Sequence, residues 1–236
     1  MSEDYKYVGA ELDLFARAQN WKRYFASHLG GHLHGDVLEV GAGIGGTTRL
    51  LCRGSEASWT CLEPDPALAA RLEESFRQQP PAVAPTVIVG TTAALAAGQV
   101  FDAILYVDVL EHIESDEEEL RAAAQHLKPG GALLVLAPAH QRLFTPFDES
   151  IGHWRRYDAA MMRRLTVPGV VVERVFYLDS VGLLASLGNA LLLKASMPTA
   201  RQIAIWDRWM VPVSRLLDPL LGYRLGKSVV GIWRRA

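Results

Sequence analysis

Apolar positions along this chain follow two periods, and the alternation between them predicts the fold. Over residues 11–29, Leu12, Phe15, Ala16, Tyr24, Phe25 and Leu29 fall near helical spacing, and Gly30-Gly31 follows as a stop. Short apolar runs then predict buried strands over 37–40, 59–62, 86–89, 101–107, 132–137, 170–178 and 228–233. Helices are expected between them at 47–52 and 67–77, with another beginning at Ser115 and halted by Pro129-Gly130-Gly131. Ser115 with Glu118 three residues on predicts a capping box, and Glu117-Glu118-Glu119 reads as a solvated face that suits the helix dipole. Asp158 is placed to start a further helix, and Pro80, Pro81 and Pro85 mark a loop.

Strands alternating with helices imply a sheet covered on both faces. The fold class is therefore α/β, a doubly wound, mostly parallel seven-stranded sheet. Residues 179–227 are too long for a simple link to the last strand. Leu183, Leu184, Leu187 and Leu191 have helical spacing there, as do Ile203, Trp206, Met210 and Val213, which predicts inserted helices. Pro198, Pro212 and Pro219 are expected to break any long amphipathic helix in that stretch. One domain over 1–236 follows, divided into a helical cap (1–35), a ligand-binding core (36–138), a segment facing a second ligand (139–178) and a helical insertion or lid (179–227).

Composition narrows the class. A chain of 236 residues, half of them hydrophobic, can build one large α/β domain. A formal charge of −2 argues against a general nucleic-acid binder. Cys52 and Cys61 read as buried, unpaired thiols, with no disulfide framework and no zinc pattern. Residues 1–7 are polar, unlike a signal peptide, and no apolar run reaches the roughly 18 residues of a membrane span. The expected setting is cytoplasmic.

The turn Gly41-Ala42-Gly43-Ile44-Gly45-Gly46 directly follows the first predicted strand. It fits the dinucleotide pattern G-x-G-x-x-G, and with Glu39 it also fits E-x-G-x-G-x-G. Glu63, ending the second strand, suits the ribose of either ligand. Charge separates the two. A pyrophosphate prefers a helix N-terminus free of carboxylates, whereas S-adenosylmethionine (SAM) brings a sulfonium and an ammonium. Glu39, Glu63 and Asp108 all sit at carboxyl ends of strands, where such sheets bind ligands, and three acids suit the cationic cofactor better. A dinucleotide-dependent oxidoreductase is the alternative.

The segments VLEVGAGIGGTT, CLEPDP, FDAILYVDVLEHI and LKPGGALLVLAP resemble, in this order, the motifs of class I SAM-dependent methyltransferases with a Rossmann-like core. The resemblance implies that Glu39, Gly41, Gly43 and Gly45 surround the methionine part of SAM, that Glu63 holds the ribose, and that Tyr106 and Asp108 lie beside the methionine. Thr91 falls where the family contacts adenine, but the acid common there is missing. FDESIGHWRRY resembles a bacterial subfamily signature usually reading GHYRRY, and AQNWKRY and LGKSVVGIW fit the same group. Members of that group are often encoded near glycosyltransferases or modify natural products and lipids.

Methyl transfer is an in-line displacement that yields S-adenosylhomocysteine (SAH), so the enzyme chiefly aligns acceptor, methyl and sulfur. A base is needed only if the acceptor loses a proton. His112, just past the fourth strand, is the first candidate. The second cluster is His153, Arg155, Arg156 and Tyr157: His153 an alternative base, an arginine pairing with an acceptor carboxylate or phosphate. His140 is a weaker candidate. Asp108, Glu111 and His112 also resemble the E-x-x-E-H metal set of quinone-type O-methyltransferases, with Asp for the first Glu, although no metal is expected. Trp21 and Tyr24 are placed to close over a sulfonium. The late helices would cover a greasy acceptor, touch a membrane surface or pair two copies. The expected activity is methyl transfer to an oxygen, less so a carbon or nitrogen, of a lipophilic small molecule, natural product or lipid-like intermediate. A SAM-binding regulatory subunit without turnover is the third reading.

Overall fold

The computed structural model describes residues 7, 12–165, 167–188 and 198–236. Its centre is a seven-stranded sheet in the order β3-β2-β1-β4-β5-β7-β6. The strands are β1 (Gly35–Val40), β2 (Glu56–Glu63), β3 (Thr86–Val89), β4 (Phe101–Val107), β5 (Leu127–Pro138), β6 (Val170–Leu178) and β7 (Ser228–Arg235). The first five run parallel, and β7 pairs antiparallel with both β5 and β6. The chain leaves β1 toward β2 and β3, then returns to β4 on the other side of β1. That reversal opens a crevice at the carboxyl ends of β1 and β4, where doubly wound sheets bind ligands.

Side-chain alternation sends Val37 and Leu105 to one face of the sheet, and Leu38 and Ile104 to the other. The first face is covered by α2 (Gln19–Leu29), by α4 (Pro66–Gln78) through Leu72 and Phe76, and by Ile203, Trp206 and Val211 of the late helices. The second is covered by α5 (Asp116–Gln125) through Leu120 and Ala123, and by α7 (Ala159–Arg164) through Met162. Both cysteines are buried and free.

The expected N-terminal helix is broken: α1 covers only Leu12–Phe15, and α2 starts at Gln19. Ala18 at the N-cap has no side-chain acceptor, so the first N–H groups of α2 turn to the far end of the sequence. Asn20 and Trp21 donate their backbone N–H to the Asp207 carboxylate at 3.2 and 2.8 Å. The turn after Gly41–Gly46 gives only a short helix, α3 (Thr48–Leu51). Ser115 makes no side-chain cap. Its neighbour Asp116 instead accepts from Tyr157 and pairs with Arg155, both at 2.7 Å. Nor is the acidic run merely solvated, since Glu119 accepts from Tyr106 at 2.7 Å and from Thr92 at 3.1 Å. α5 ends before Pro129-Gly130-Gly131, and those residues belong to β5.

The described part of the insertion is helical, as expected; Pro198 precedes a helix, while Pro212 and Pro219 lie within helical backbone and do not break it. After α8 (Ser180–Gly188), the helical backbone runs from Ala200 to Leu220 as α9 (Ala200–Ile205), a π-helical turn (Trp206–Met210) and α10 (Val211–Leu220). The π turn lies directly before Pro212, where the ring would otherwise crowd the carbonyl four residues back. The same wider turn carries Trp206 and Asp207 inward, and both are buried. Asp218 of α10 accepts from Tyr24 and from the backbone N–H of Asp179 and Ser180 at 2.7–3.0 Å, which pins α10 to α2 and caps α8. Leu191 lies outside the described residues. On the outer face Leu220, Leu216 and Trp209 stay 82%, 73% and 64% exposed. No helix among the described residues is long and apolar enough to cross a membrane.

Candidate active site

One cavity of about 560 Å³ lies over the carboxyl ends of β1, β4, β5 and the start of β7, within the usual range for small-molecule sites. Its floor is the glycine turn. Gly41 has φ +69°, and a Cβ there would stand 2.5 Å from a Val109 methyl. Gly45, at φ +78°, has no room above Leu72 and Phe76, so it shapes the turn without facing the cavity. Gly41, Ala42 and Gly43 line the floor, and Asp108, at φ +53°, borders it from the end of β4.

The structure divides the expected cofactor residues. Trp21, Gly41, Gly43 and Asp108 line the cavity. Glu39, Gly45, Glu63, Thr91 and Tyr106 do not. Glu39 lies beneath α3, where it accepts from Thr48 Oγ1 at 2.7 Å and Trp59 Nε1 at 3.0 Å, and burial pushes its carboxyl up to about 7. It supports the turn from behind. Glu63 accepts from the backbone N–H of Gly43 and Asp65 at 2.8 and 3.0 Å, and burial raises its pKa. It therefore ties the turn to β2. Tyr106 projects to the opposite face of the sheet, toward Glu119. Next to these, the Tyr7 backbone N–H reaches Asp65 at 2.7 Å.

Lys22 was missed by sequence reasoning. Its Nζ stands 2.4 Å from the position a Gly46 Cβ would take, inside the cavity. Burial, with Arg49 adding repulsion, lowers its pKa. The helical spacing gave no signal for it, because Lys22 directly follows Trp21 and successive helical residues point about 100° apart. A lysine amid the acids also changes the charge picture: the floor can hold a carboxylate as well as a cation.

The second wall gathers Glu111, His112 and His153, whose ligand-capable atoms all lie within 4.8 Å of one another. The two imidazoles meet edge-on at 4.5 Å. Burial, and next the charge of His153, depress His112 to about 4, so it is neutral at physiological pH; the backbone of Gly152 and Ile151 accepts from its ring. His153 Nδ1 lies 3.1 Å from Asp148, leaving Nε2 toward Glu111 at 3.8 Å. Asp148 also accepts both Nε and Nη2 of Arg156 at 2.8 Å. Burial works against its charge, yet hydrogen bonds from His153 and Arg156 hold its carboxyl well below the usual range. Thr145 and Asp148 form a capping box at the start of α6 (Pro146–Ser150), which fixes Asp148 in place.

Glu111 is fully buried and neither carboxylate oxygen finds a hydrogen-bond partner among the described residues. Burial, with Asp108 adding repulsion, raises its pKa well above the normal range. The E-x-x-E-H-like set is not what converges, since His153 stands with Glu111 and His112 where Asp108 was expected. This donor set, one carboxylate and two imidazoles with their outer nitrogens held by protein acceptors, fits a divalent ion.

Arg155 and Tyr157 leave the site. Arg155 donates to the carbonyls of Ile113 and Glu114, and Tyr157 is buried against Asp116 and Leu110. Arg156 is the arginine that lines the cavity. His140 stacks on Tyr177 and bonds the Gly226 carbonyl, away from the cavity.

With this geometry in hand, likeness to known proteins becomes informative. Residues 38–133 match the family model described as a methyltransferase domain. The matched segment runs from within β1 through most of β5, with the glycine turn and Asp108. A demethylmenaquinone methyltransferase of Tropheryma whipplei is 31% identical over 140 residues, covering 56% of this chain and 54% of that relative. The chain thus spans about half the length of the curated relatives it matches. A sarcosine dimethylglycine methyltransferase structure from Galdieria sulphuraria aligns with TM-score 0.63 at 22% identity, over 92% of this chain and 86% of that one. A coclaurine N-methyltransferase bound to N-methylheliamine and SAH gives 0.63 at 14% identity, over 98% and 76%. The shared feature is the mostly parallel seven-stranded sheet.

Proposed function

We propose that this methyltransferase domain moves the SAM methyl group to a hydroxyl oxygen, in preference to carbon or nitrogen, of a lipophilic small molecule such as a natural product or lipid-like intermediate. The observation that carries the reading is that the glycine floor and the His112–His153 wall open into the same cavity. Gly41–Gly43, Lys22, Asp108 and Trp21 would hold the methionine end of SAM, Lys22 offering a cation to its carboxylate, Asp108 an acid and Trp21 an aromatic face to its sulfonium. The acceptor then approaches from the β5 and β7 side, past Phe15, Ile203 and Met210. The GHWRRY signature and the relative named for demethylmenaquinone agree with such an acceptor.

His153 is the better base, and His112 its neighbour. His112, held near 4, is a weak proton acceptor. His153 can donate Nδ1–H to Asp148 and take the acceptor's proton on Nε2, and the nearby carboxylate stabilises the imidazolium that forms. A divalent ion bound by Glu111, His112 and His153 would occupy His153 Nε2, and would then supply Lewis acidity to the acceptor oxygen in place of the base. The insertion acts as a lid over the acceptor. Its exposed leucines suit contact with a membrane surface or a second copy.

The test is mass spectrometry of the protein with methyl-labelled SAM and extracts of its producing cell. A labelled product that falls at least tenfold with His153→Ala and less with His112→Ala is expected. Tight SAH binding with no labelled product would leave a non-catalytic SAM-binding subunit. Near-normal turnover in both variants would end the base assignment. For the cofactor pose, Lys22→Met should weaken SAH about tenfold and leave adenosine, which has no carboxylate, unchanged.

A further inference from the structure

Lys227 sits immediately before β7, and the antiparallel pairing Pro138↔Ser228 places that end of β7 beside the carboxyl end of β5. It is separated from the glycine turn by three strand spacings, β1 to β4 to β5 to β7, roughly 14 Å at about 4.8 Å each. Its ammonium lines the cavity and lies 4.0 Å over the face of Trp206. Among the described residues it has no ion pair and no hydrogen bond. Three acids favour its charge through space, Asp179 most and then Asp108 and Asp148, none as an ion pair; Asp179 is already occupied by Trp206 Nε1, Ser214 Oγ and the Gly182 N–H at 2.6–3.0 Å. Those bonds lock the indole that carries Lys227. Arg156, the other cation of this wall, repels Lys227 and is itself neutralised by Asp148.

A desolvated ammonium without a counter-ion is costly unless a ligand supplies one. On the proposed function, the cofactor's carboxylate would take Lys22, at the other end of the cavity. We propose that Lys227, steered by Trp206, binds an anionic group of the methyl acceptor, a carboxylate or phosphate on an otherwise apolar body. The apolar part lies along Phe15, Ile203 and Met210, which border the same space. This deepens the methyl-transfer reading and rests on it. Burial lowers the Lys227 pKa, and an incoming anion would favour its charged form.

The experiment is calorimetric titration of the full chain at pH 7.5, with and without saturating SAH, using octanoate, octyl phosphate and octanol. At least one anion should bind ten- to a hundredfold more tightly than octanol, the worth of a charge-assisted hydrogen bond. The better anion names the headgroup. Lys227→Met should bring the anions to the octanol level and leave SAH affinity unchanged, and Lys227→Arg should keep the preference, which excludes simple misfolding. Equal binding of all three probes, or an anion preference that survives Lys227→Met, overturns the proposal. So does an equal loss of SAH affinity in Lys227→Met, which would make Lys227 a cofactor ligand. Failure of the wild-type chain to bind SAH sinks the methyl-transfer reading instead, and the anion preference is still read from the SAH-free arm.

Discussion

The two ends of the cavity are built by opposite strategies. The cofactor end comes from a few consecutive residues, Gly41–Gly46, at the exit of one strand, with Glu39 and Glu63 bracing the turn from behind. The acceptor end is assembled from Glu111 and His112 after β4, Asp148 and His153 around α6, Trp206 on a π turn and Lys227 before β7. A local turn tolerates change elsewhere in the chain, whereas a composite wall depends on long-range ties. A change at one end should therefore leave the other working.

The largest effect should come from Asp148. Its carboxylate serves His153, Arg156 and Thr145 together while buried. Asp148→Ala strands Arg156 and removes the cap of α6, at a cost of about 3 kcal/mol of stability. Denaturant unfolding measures this loss, and SAH titration of the folded variant should show cofactor affinity within about twofold of wild type. A matching collapse of SAH affinity would erase the separation between the two ends.

That separation also explains what could be read from the chain alone. β3, β4 and β6 have the expected limits because runs rich in β-branched and aromatic residues, with few interruptions, stand between turn residues. The glycine floor was legible for the same reason: its chemistry is contiguous. The acceptor wall was legible only in pieces. His112 and His153 were both visible as candidates, but their meeting depends on α6 folding back over the end of β4. Arg155 and Arg156 are adjacent in sequence, and only packing decides that the second faces the cavity. Lys22, Lys227 and the buried ties through Asp207 and Asp218 span nearly the whole chain, and no local spacing encodes them. Pro212 misled because a π turn absorbs it.

The converse substitution tests the local end. Gly41→Ala forces a side chain into φ +69° and against Val109. The strain, about 2 kcal/mol, should weaken SAH binding some thirtyfold. Octanoate binding to the SAH-free chain should change little if the acceptor wall is independent. Unchanged SAH affinity would mean that the turn tolerates a Cβ and that its glycines do not set the cofactor geometry.

An effect resolved by pH sharpens the role of Glu39. Its folded pKa of about 7 lies above the 4.5 of the unfolded chain, so between those values the folded state holds a proton that the unfolded state has lost. Stability contributed by the protonated form is complete below about 4.5 and is lost as pH rises to about 7. Glu39→Gln keeps an acceptor for Thr48 and Trp59 but cannot ionise. The variant should match wild type below about pH 4.5 and exceed it at pH 8, a gain visible as a higher Tm that grows through that window. If Glu39 were instead held ionised by Lys22, the variant would be the less stable protein at pH 8, and the carboxylate would belong to the cofactor floor as a charged partner instead of a neutral brace.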